Sequence, residues 1–327
     1  MKNVMHNLER QASKFHETSI LPIMDICRFP FTDPRIAFLS IACLRYLRRA
    51  KPDIIHYVPS SGLTPASLFR ARTFAKYARA PRLLISCLQL LNKPFLSKKI
   101  TSALKPDLVL VQSQISKEIL NSLGLETRWL PNGVDISKFS PASTITKRAL
   151  REKYDLANKF VILHVGHIKD ARGLHMLQNI PNKSTKLIVI GSTSTSLDKD
   201  VANRLLEQGA LVWRRYLNDI QEIYNLSDCY VFPTSDRSAS IEIPLSVLEA
   251  MSCNIPVVST KFGGLPEIFD QGDGLFFADH KNEFLEAIDA VRNKDVEVRT
   301  RDKVIPYSWE RVGETLSAIY REIEAPS

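Results

Sequence analysis

Short apolar runs alternate with helix-like segments along most of the chain, and this alternation constrains the fold more than any other feature. Each run has the length of one strand and is apolar throughout, as expected for strands that are buried on both faces of a parallel sheet. The segments between them supply the crossovers that parallel strands require. In the first part of the chain we predict strands at residues 18–25, 54–58, 83–87 and in "DLVLV". The pattern therefore predicts an α/β fold with parallel sheets.

The alternation is interrupted once, at the polar stretch "ISKFSPASTITKRALREKYD", which contains Pro141 and no apolar strand. It then resumes in the runs "KFVILHVGH", "KLIVIGST", "ALVWRRY", "CYVFPT", "PVVST" and "GLFFAD". A chain of 327 residues is about twice the size of a common domain. We predict an N-terminal domain over 1–140, a C-terminal domain over 141–305 and a last helix within 306–327.

The charge of the chain is concentrated in its first part. Residues 1–140 hold 21 Lys and Arg against 9 Asp and Glu, whereas the remainder holds 23 against 26. This asymmetry favours an anionic partner for the first domain: lipid headgroups, a phosphorylated acceptor or nucleic acid. No recognition helix or aromatic-basic signature supports nucleic acid, so we expect an anionic membrane surface or a lipid-linked acceptor. An ordinary solvated basic surface is the alternative.

The cysteines and the hydropathy pattern indicate the cellular setting. Five cysteines are scattered along the sequence without the spacing of a zinc site or a redox pair. No apolar run reaches the length of a membrane span, and the N-terminus is too polar for a secretory signal. We expect a cytoplasmic protein with reduced cysteines, either soluble or peripheral on a membrane.

The segment "VGHIKDARG" follows the first strand of the predicted second domain. In open parallel sheets, ligands bind beyond the carboxyl ends of the strands. Arg172 could hold a diphosphate there with two parallel N–H bonds, and His167 could donate another. The alternative is a surface turn with two unrelated basic residues.

The segment "SIEIPLSVLEAMSCNIPVVST" predicts a helix over about 244–253, followed by a strand. Pro244 suits the first helical position, and Asn254 suits a left-handed helix end. The N-terminus of this helix could bind a diphosphate through the backbone at Leu245 and through the backbone and hydroxyl of Ser246.

Two carboxylates flank this helix start. Glu249, inside the helix, could accept hydrogen bonds from the paired hydroxyls of a ribose, and Glu242 lies where a sugar hydroxyl would come. An exposed loop charge at Glu242 and a backbone cap at Glu249 are the alternatives. In the next loop, "FGGLPEIF" places Gly263 and Gly264 where a backbone could approach a ligand, although a purely structural turn would use the same residues.

Five segments together resemble family 4 of the retaining glycosyltransferases: "LPNGVDISKFSP", "HVGHIKDARGLHML", "DIQEIYNLSDCYVFPTS", "PLSVLEAMSCNIPVVSTKFGGLPEIF" and "SWERVGETLSAIY". The resemblance extends from about residue 5 to residue 323. It implies the GT-B fold, with two Rossmann-like domains facing a cleft. It also implies a nucleotide-sugar donor as substrate in the second domain, a glycan, lipid-linked or small-molecule acceptor in the first, and neither a cofactor nor a metal. The last helix is expected to cross back to the first domain.

The resemblance also assigns residues. The phosphate clamp of the family falls on Gly166, His167, Arg172 and Gly173, with histidine in place of an arginine and arginine in place of a lysine. Its second glutamate, which binds ribose, falls on Glu249. Its first glutamate falls on Ile241, so that Glu242 is one position late.

The first domain departs from the family pattern at its start. The usual first strand and glycine-rich loop are missing before "MKNVMHNLERQASKFHE", which indicates either a start codon placed too late or a protein that dispenses with this loop. A family histidine is replaced by Cys87 or Leu88. His56 matches another recurrent histidine and is a catalytic candidate, with a buried, hydrogen-bonded histidine as the alternative.

The leading hypothesis is a metal-independent retaining glycosyltransferase, with Arg172, Glu242 and His56 as catalytic candidates. A degenerate, non-catalytic protein that binds nucleotide or scaffolds a glycan-assembly complex is the main rival. The shifted glutamate, the lost family histidine and the missing strand favour that rival. A nucleotide-sugar epimerase of similar shape fits the order of the motifs less well.

Overall fold

The computed structural model describes residues 2–18, 41–59, 62–91, 96–178, 180, 183–193 and 196–325. The chain divides into two compact units. The first comprises Met1–Asn132 together with Trp309–Ser327, and the second comprises Gly133–Ser308. Most of the strand predicted at residues 18–25 lies outside the described residues.

The first unit is built on a four-stranded parallel sheet in the order β1-β2-β3-β4. Its strands are β1 (Ile54–Tyr57), β2 (Arg82–Cys87), β3 (Leu108–Val111) and β4 (Thr127–Trp129). Its helices are α1 (Lys2–Ala12), α2 (Ile41–Ala50), α3 (Pro65–Ala78), α4 (Lys98–Ala103), α5 (Gln114–Ser122) and, from the end of the chain, α13 (Trp309–Glu324). The runs predicted at 83–87 and in "DLVLV" form the central strands β2 and β3, which are buried along nearly their whole length. The run predicted at 54–58 forms β1, which is half-buried.

Local signals in the sequence account for the start of α3. The Thr64 side chain accepts a hydrogen bond from the backbone N–H of Ser67, and the Ser67 side chain accepts one from the backbone of Thr64. Pro65 occupies the first helical position, where its missing N–H costs nothing. Thr64 is therefore the N-cap of α3.

The last helix of the chain packs within the first unit. Helix α13 contacts α1 closely at Gly313, where a β-carbon would lie 2.4 Å from the β-carbon of Gln11. A glycine is therefore needed for the two helices to approach this closely. The pairing joins the two ends of the described chain in one unit.

The second unit contains a six-stranded parallel sheet in the order β10-β9-β8-β5-β6-β7. Its strands are β5 (Phe160–Gly166), β6 (Thr185–Gly191), β7 (Leu211–Trp213), β8 (Cys229–Phe232), β9 (Val257–Ser259) and β10 (Leu275–Phe277). Its helices are α6 (Thr144–Lys153), α7 (Lys199–Glu207), α8 (Ile220–Leu226), α9 (Leu245–Ser252), α10 (Leu265–Ile268), α11 (Lys281–Arg292) and α12 (Thr300–Val304).

Three short 3₁₀ segments, Asp170–Arg172, Leu174–Leu177 and Ile305–Tyr307, complete the second unit. Two buried clusters cover the faces of its sheet, one including Leu163 and Leu248 and the other including Val189 and Phe284. Burial on both faces explains why these strands are apolar throughout. The predicted pair of parallel-sheet α/β domains is confirmed. Within the described residues, no helix combines the length and the apolar character needed to cross a membrane.

Candidate functional site

The predicted donor-site residues of the second unit follow the ends of β5, β8 and β9. The strand order changes direction between β5 and β8, since β6 and β7 extend to one side and β9 and β10 to the other. Such a switch point opens a crevice beyond the carboxyl ends of the strands, and ligands of open α/β sheets bind there. The topology therefore brings the loops that were predicted to bind the donor to one edge of the sheet.

Gly166, the last residue of β5, leaves space for the side chain of His164. A β-carbon at Gly166 would lie 3.0 Å from Nε2 of His164 and 3.5 Å from Nη1 of Arg172. The first distance is shorter than ordinary van der Waals contact. A side chain at this position would therefore displace the histidine and lie in van der Waals contact with the guanidinium.

Arg172 is a buried cation at this edge of the sheet. It ends a 3₁₀ turn, is only 6% exposed, and its guanidinium lies 5.8 Å from the ring centroid of Phe232. Its Nε–H has no hydrogen-bond partner among the described residues. Burial lowers the pKa of Arg172 to about 10, so that the side chain remains charged at neutral pH. A buried, charged and incompletely bonded guanidinium is suited to bind an anion.

The backbone around Arg172 is fixed by close packing. The backbone of Gly173 has φ +69, and a β-carbon there would lie 2.0 Å from the carbonyl oxygen of Pro233. The hydroxyl of Thr234 donates a hydrogen bond of 3.3 Å to the carbonyl oxygen of Arg172. Thr260 in turn donates to the carbonyl oxygen of Thr234. The ends of β8 and β9 thus hold the arginine turn in place.

His167 is half-buried directly after Gly166. Burial, followed by the charges of Arg172 and Lys169, lowers its pKa to about 4. The imidazole is therefore neutral near pH 7. It can donate a hydrogen bond but carries no positive charge there.

Helix α9 begins at Leu245, and Pro244 is its cap residue with an extended ψ of 126. The predicted helical position of Pro244 is wrong by one residue because this ψ lies outside the helical range. Asn254 has φ 54, and its prediction as a left-handed helix end is confirmed.

Ser246 accepts a hydrogen bond of 2.7 Å from the hydroxyl of Tyr230, which also lies 3.4 Å from the carbonyl oxygen of Val165. Tyr230 therefore ties the start of α9 to the end of β5.

Glu249 is held by a tyrosine from the neighbouring helix. The hydroxyl of Tyr224 donates a hydrogen bond of 2.7 Å to Oε2 of Glu249. Burial raises the pKa of Glu249, while the Tyr224 hydrogen bond and the charge of Lys138 partly oppose this shift. The carboxylate is thus oriented before any ligand binds.

Glu242 lies in the loop before α9 and is buried. Its Oε1 lies 3.8 Å from Nη2 of Arg237. Its backbone contacts the predicted glycine pair: Gly264 donates a hydrogen bond of 3.0 Å to the carbonyl oxygen of Glu242, and Gly263, with φ +56, packs against the same peptide unit. The two glycines therefore fix the position of Glu242, a contact that the sequence did not suggest.

His56 lies in the first unit and is described there alone. Its Nδ1 is 2.7 Å from the hydroxyl of Tyr320 and its Nε2 is 2.7 Å from the hydroxyl of Ser86. Burial lowers the pKa of His56 to about 4. These bonds connect β1, β2 and α13, as expected for a structural histidine. Its catalytic role stays a prediction.

Five residues of this site were not predicted from the sequence: His164, Thr234, Tyr224, Tyr230 and Arg237. Tyr230 was treated as part of an apolar run, and Tyr224 only as part of a segment that resembles the family. A buried phenol needs a hydrogen-bond partner and so points to a nearby polar group. Arg237 lies in a polar loop and carries no distinguishing signal. Among the residues that the structure describes, no group of three or more His, Cys, Asp or Glu side chains could hold a metal ion.

The fold and this edge of the second sheet define a GT-B type α/β protein. The structure is similar to that of Anabaena HepE in complex with UDP, with a TM-score of 0.70 and 18% sequence identity, covering 89% of this chain and 84% of that one. Residues 159–294, which lie within the second unit, match the family model described as Glycosyl transferases group 1.

Two curated relatives extend the comparison. A GDP-mannose-dependent monoacylated alpha-(1-6)-phosphatidylinositol monomannoside mannosyltransferase of Corynebacterium glutamicum is 26% identical over 212 residues, 58% of this chain and 55% of the relative. Spore coat protein SA of Bacillus subtilis is 23% identical over 228 residues, 60% of this chain and 59% of the relative. The matched part of this chain therefore spans somewhat more than half the length of each relative.

Proposed function

We propose that this protein is a retaining glycosyltransferase that moves a sugar from a nucleotide-sugar donor to a hydroxyl acceptor without a metal ion. The proposal rests on the environment of Arg172. Its guanidinium is buried at the switch point of the second sheet, and its Nε–H lacks a partner among the described residues. The relative named for GDP-mannose and the neighbour bound to UDP support a nucleoside-diphosphate donor.

The diphosphate is the part of the donor that this edge is best suited to bind. Cleavage of the bond between sugar and phosphate builds negative charge on the leaving diphosphate. Arg172 and the backbone N–H groups at Leu245 and Ser246 would stabilise that charge, since preorganised donors act strongly where water is excluded. His167, neutral near pH 7, would add one hydrogen bond. These donors would replace the charge that a metal supplies in other transferases.

The two carboxylates would bind the sugars of the donor. Glu249, oriented by Tyr224, would accept hydrogen bonds from the ribose hydroxyls. Glu242, fixed by Gly263 and Gly264, would hold the sugar that develops positive charge in the transition state. We assign no protein nucleophile. The acceptor hydroxyl would enter on the face of the leaving group, and the donor phosphate would take its proton.

The acceptor side is proposed from charge. The excess of Lys and Arg in residues 1–140 supports a glycan or lipid-linked acceptor, with peripheral binding to an anionic membrane at the cytoplasmic face. Co-sedimentation with vesicles would test this. Sedimentation that does not depend on anionic lipid or on salt would count against it.

A second candidate is a non-catalytic protein that binds nucleotide or scaffolds glycan assembly. It is favoured by Ile241 at the place of the expected first glutamate. It is also favoured by Arg237, which lies 3.8 Å from Glu242 and would compete with a sugar hydroxyl for its carboxylate. A binding screen across UDP-, GDP- and ADP-sugars, followed by mass analysis of products formed with candidate acceptors, distinguishes the two. Binding with transfer supports the enzyme. Binding with neither sugar transfer nor donor hydrolysis supports the scaffold. A failure to bind any of the donors would overturn the proposed enzyme.

A further inference from the structure

His164 is a fully buried polar residue inside the apolar strand β5. Its Nδ1 lies 3.0 Å from the carbonyl oxygen of Val231 on the neighbouring strand β8. A carbonyl oxygen only accepts hydrogen bonds, so Nδ1 carries the proton and donates. Burial, with the charge of Arg172, lowers the pKa of His164 to about 4, against the opposing hydrogen bond to Val231. The ring is therefore neutral near pH 7, with a lone pair on Nε2.

Nε2 of His164 and the guanidinium of Arg172 both lie near Gly166. The β-carbon position of Gly166 is 3.0 Å from Nε2 of His164 and 3.5 Å from Nη1 of Arg172, so the two side chains flank one point. Nε2 of His164 is buried and accepts no hydrogen bond from the described residues, and Nε of Arg172 is buried and donates none to them. A buried acceptor on one side chain and a buried donor on the other are thus both unsatisfied, which is unfavourable for each.

Phe232 supports both side chains. Its ring stacks on His164 with centroids 6.5 Å apart, and the guanidinium of Arg172 lies 5.8 Å from its centroid. An aromatic side chain at position 164 would preserve the packing on Phe232 but would offer no acceptor. The packing alone therefore does not account for a histidine.

We propose that His164 is a positioning residue for Arg172: when a diphosphate binds, Nε–H of Arg172 donates to Nε2 of His164, and the terminal nitrogens of Arg172 turn to the diphosphate. The inference rests on the proposed function and adds to it a residue that does not touch the donor. It pairs the buried Nε–H of Arg172 with the buried Nε2 of His164 in the bound state.

Two substitutions separate the nitrogens of His164. H164N keeps an amide donor near the place of Nδ1 and removes the acceptor at Nε2. H164Q places an amide oxygen near Nε2 and removes the donor to Val231. H175N, at an exposed histidine of the adjacent 3₁₀ segment, is the matched control. Calorimetry with UDP, GDP and ADP measures affinity for each variant, alone and combined with R172A.

The expected result is a loss of about tenfold in affinity for H164N, the size of one charged hydrogen bond. H164Q should recover affinity to within about threefold of wild type, and H175N should not change it. With R172A present, H164N should have no further effect, because the two residues act through one contact. If H164N does not fold, H164F retains the ring on Phe232 and should show the same tenfold loss.

The positioning role would be overturned if H164N or H164F bound the diphosphates with wild-type affinity while R172A bound them weakly. That result would leave the proposed function intact. An equal loss from H164N with and without R172A would also overturn it, since that result indicates general damage to packing. A wild-type protein that binds none of the three diphosphates would overturn the proposed function and the inference with it.

Discussion

A β-carbon on Gly263 would lie 2.2 Å from the carbonyl oxygen of Glu242. The contact is between backbone groups, so a side-chain rotation cannot relieve it. Gly263 also has φ +56, a conformation that is unfavourable for residues with a β-carbon. The turn after β9 and the loop before α9 are therefore fitted to each other, and the position of Glu242 depends on a glycine in another loop.

Replacing Gly263 with alanine should destabilise the protein by roughly 3 kcal/mol, because strain in the backbone and overpacking add. Gly209 is the matched control, since it has φ +85 but no atom within 4 Å of its β-carbon position. G209A should cost only about 1 kcal/mol. The free energy of unfolding in urea measures both changes, and equal losses in the two variants would contradict the close contact with Glu242.

The pH dependence of stability should reveal the environment of Glu249. Its pKa is raised by burial from 4.5, so the folded protein holds the proton more tightly than the unfolded chain does. As pH rises from 4.5 to the raised pKa of Glu249 in the folded protein, wild type should lose stability relative to E249Q. Above that pKa, the difference in unfolding free energy between the two proteins should be constant. The amide oxygen of E249Q still accepts the hydrogen bond of Tyr224.

E283Q should show the opposite sign. The backbone N–H groups of Asp279 and His280 lower the pKa of Glu283 below 4.5. Wild type should therefore gain stability relative to E283Q as pH rises from the lowered pKa to 4.5. The difference in unfolding free energy across pH 3–7 checks both residues. A shift of the same sign in E249Q and E283Q would contradict the assigned environments.

Features that depend on neighbouring residues could be predicted from the sequence. The cap at Thr64, the left-handed Asn254 and the apolar strands follow from local sterics and from burial on both faces. The loops that follow β5 and β8 could be placed at one edge because parallel strands all end on the same side of a sheet.

Contacts between residues far apart in sequence could not be predicted. Tyr320 is 264 positions from His56, and nothing near either residue indicates their hydrogen bond. The fit of Gly263 to Glu242 likewise depends on the backbone path of two loops. The one-residue error at Pro244 has a similar origin, since the entry angle of the chain into α9 is set by packing.

His56 should remain neutral across the range in which an unperturbed histidine becomes protonated. Its pKa is lowered to about 4 by burial, below the ordinary value of 6.5. As pH falls from 6.5 to 4, His56 takes up a proton in the unfolded chain but not in the folded protein. The folded protein should therefore lose stability over this range. NMR titration of the imidazole carbons checks this. A midpoint of His56 at pH 6 or above would contradict the half-buried, hydrogen-bonded state.

The most direct test of the proposed function is the affinity of the full chain for UDP, GDP and ADP, measured by calorimetry in wild type, R172A and R204A. Arg204 is exposed on α7 and serves as the control for loss of one positive charge. Binding of at least one diphosphate by wild type and R204A is expected, with a loss of at least tenfold in R172A, because charged hydrogen bonds contribute about 1.5–3 kcal/mol. Equal affinity in R172A and wild type, or no binding by wild type, would contradict Arg172 as the diphosphate-binding residue.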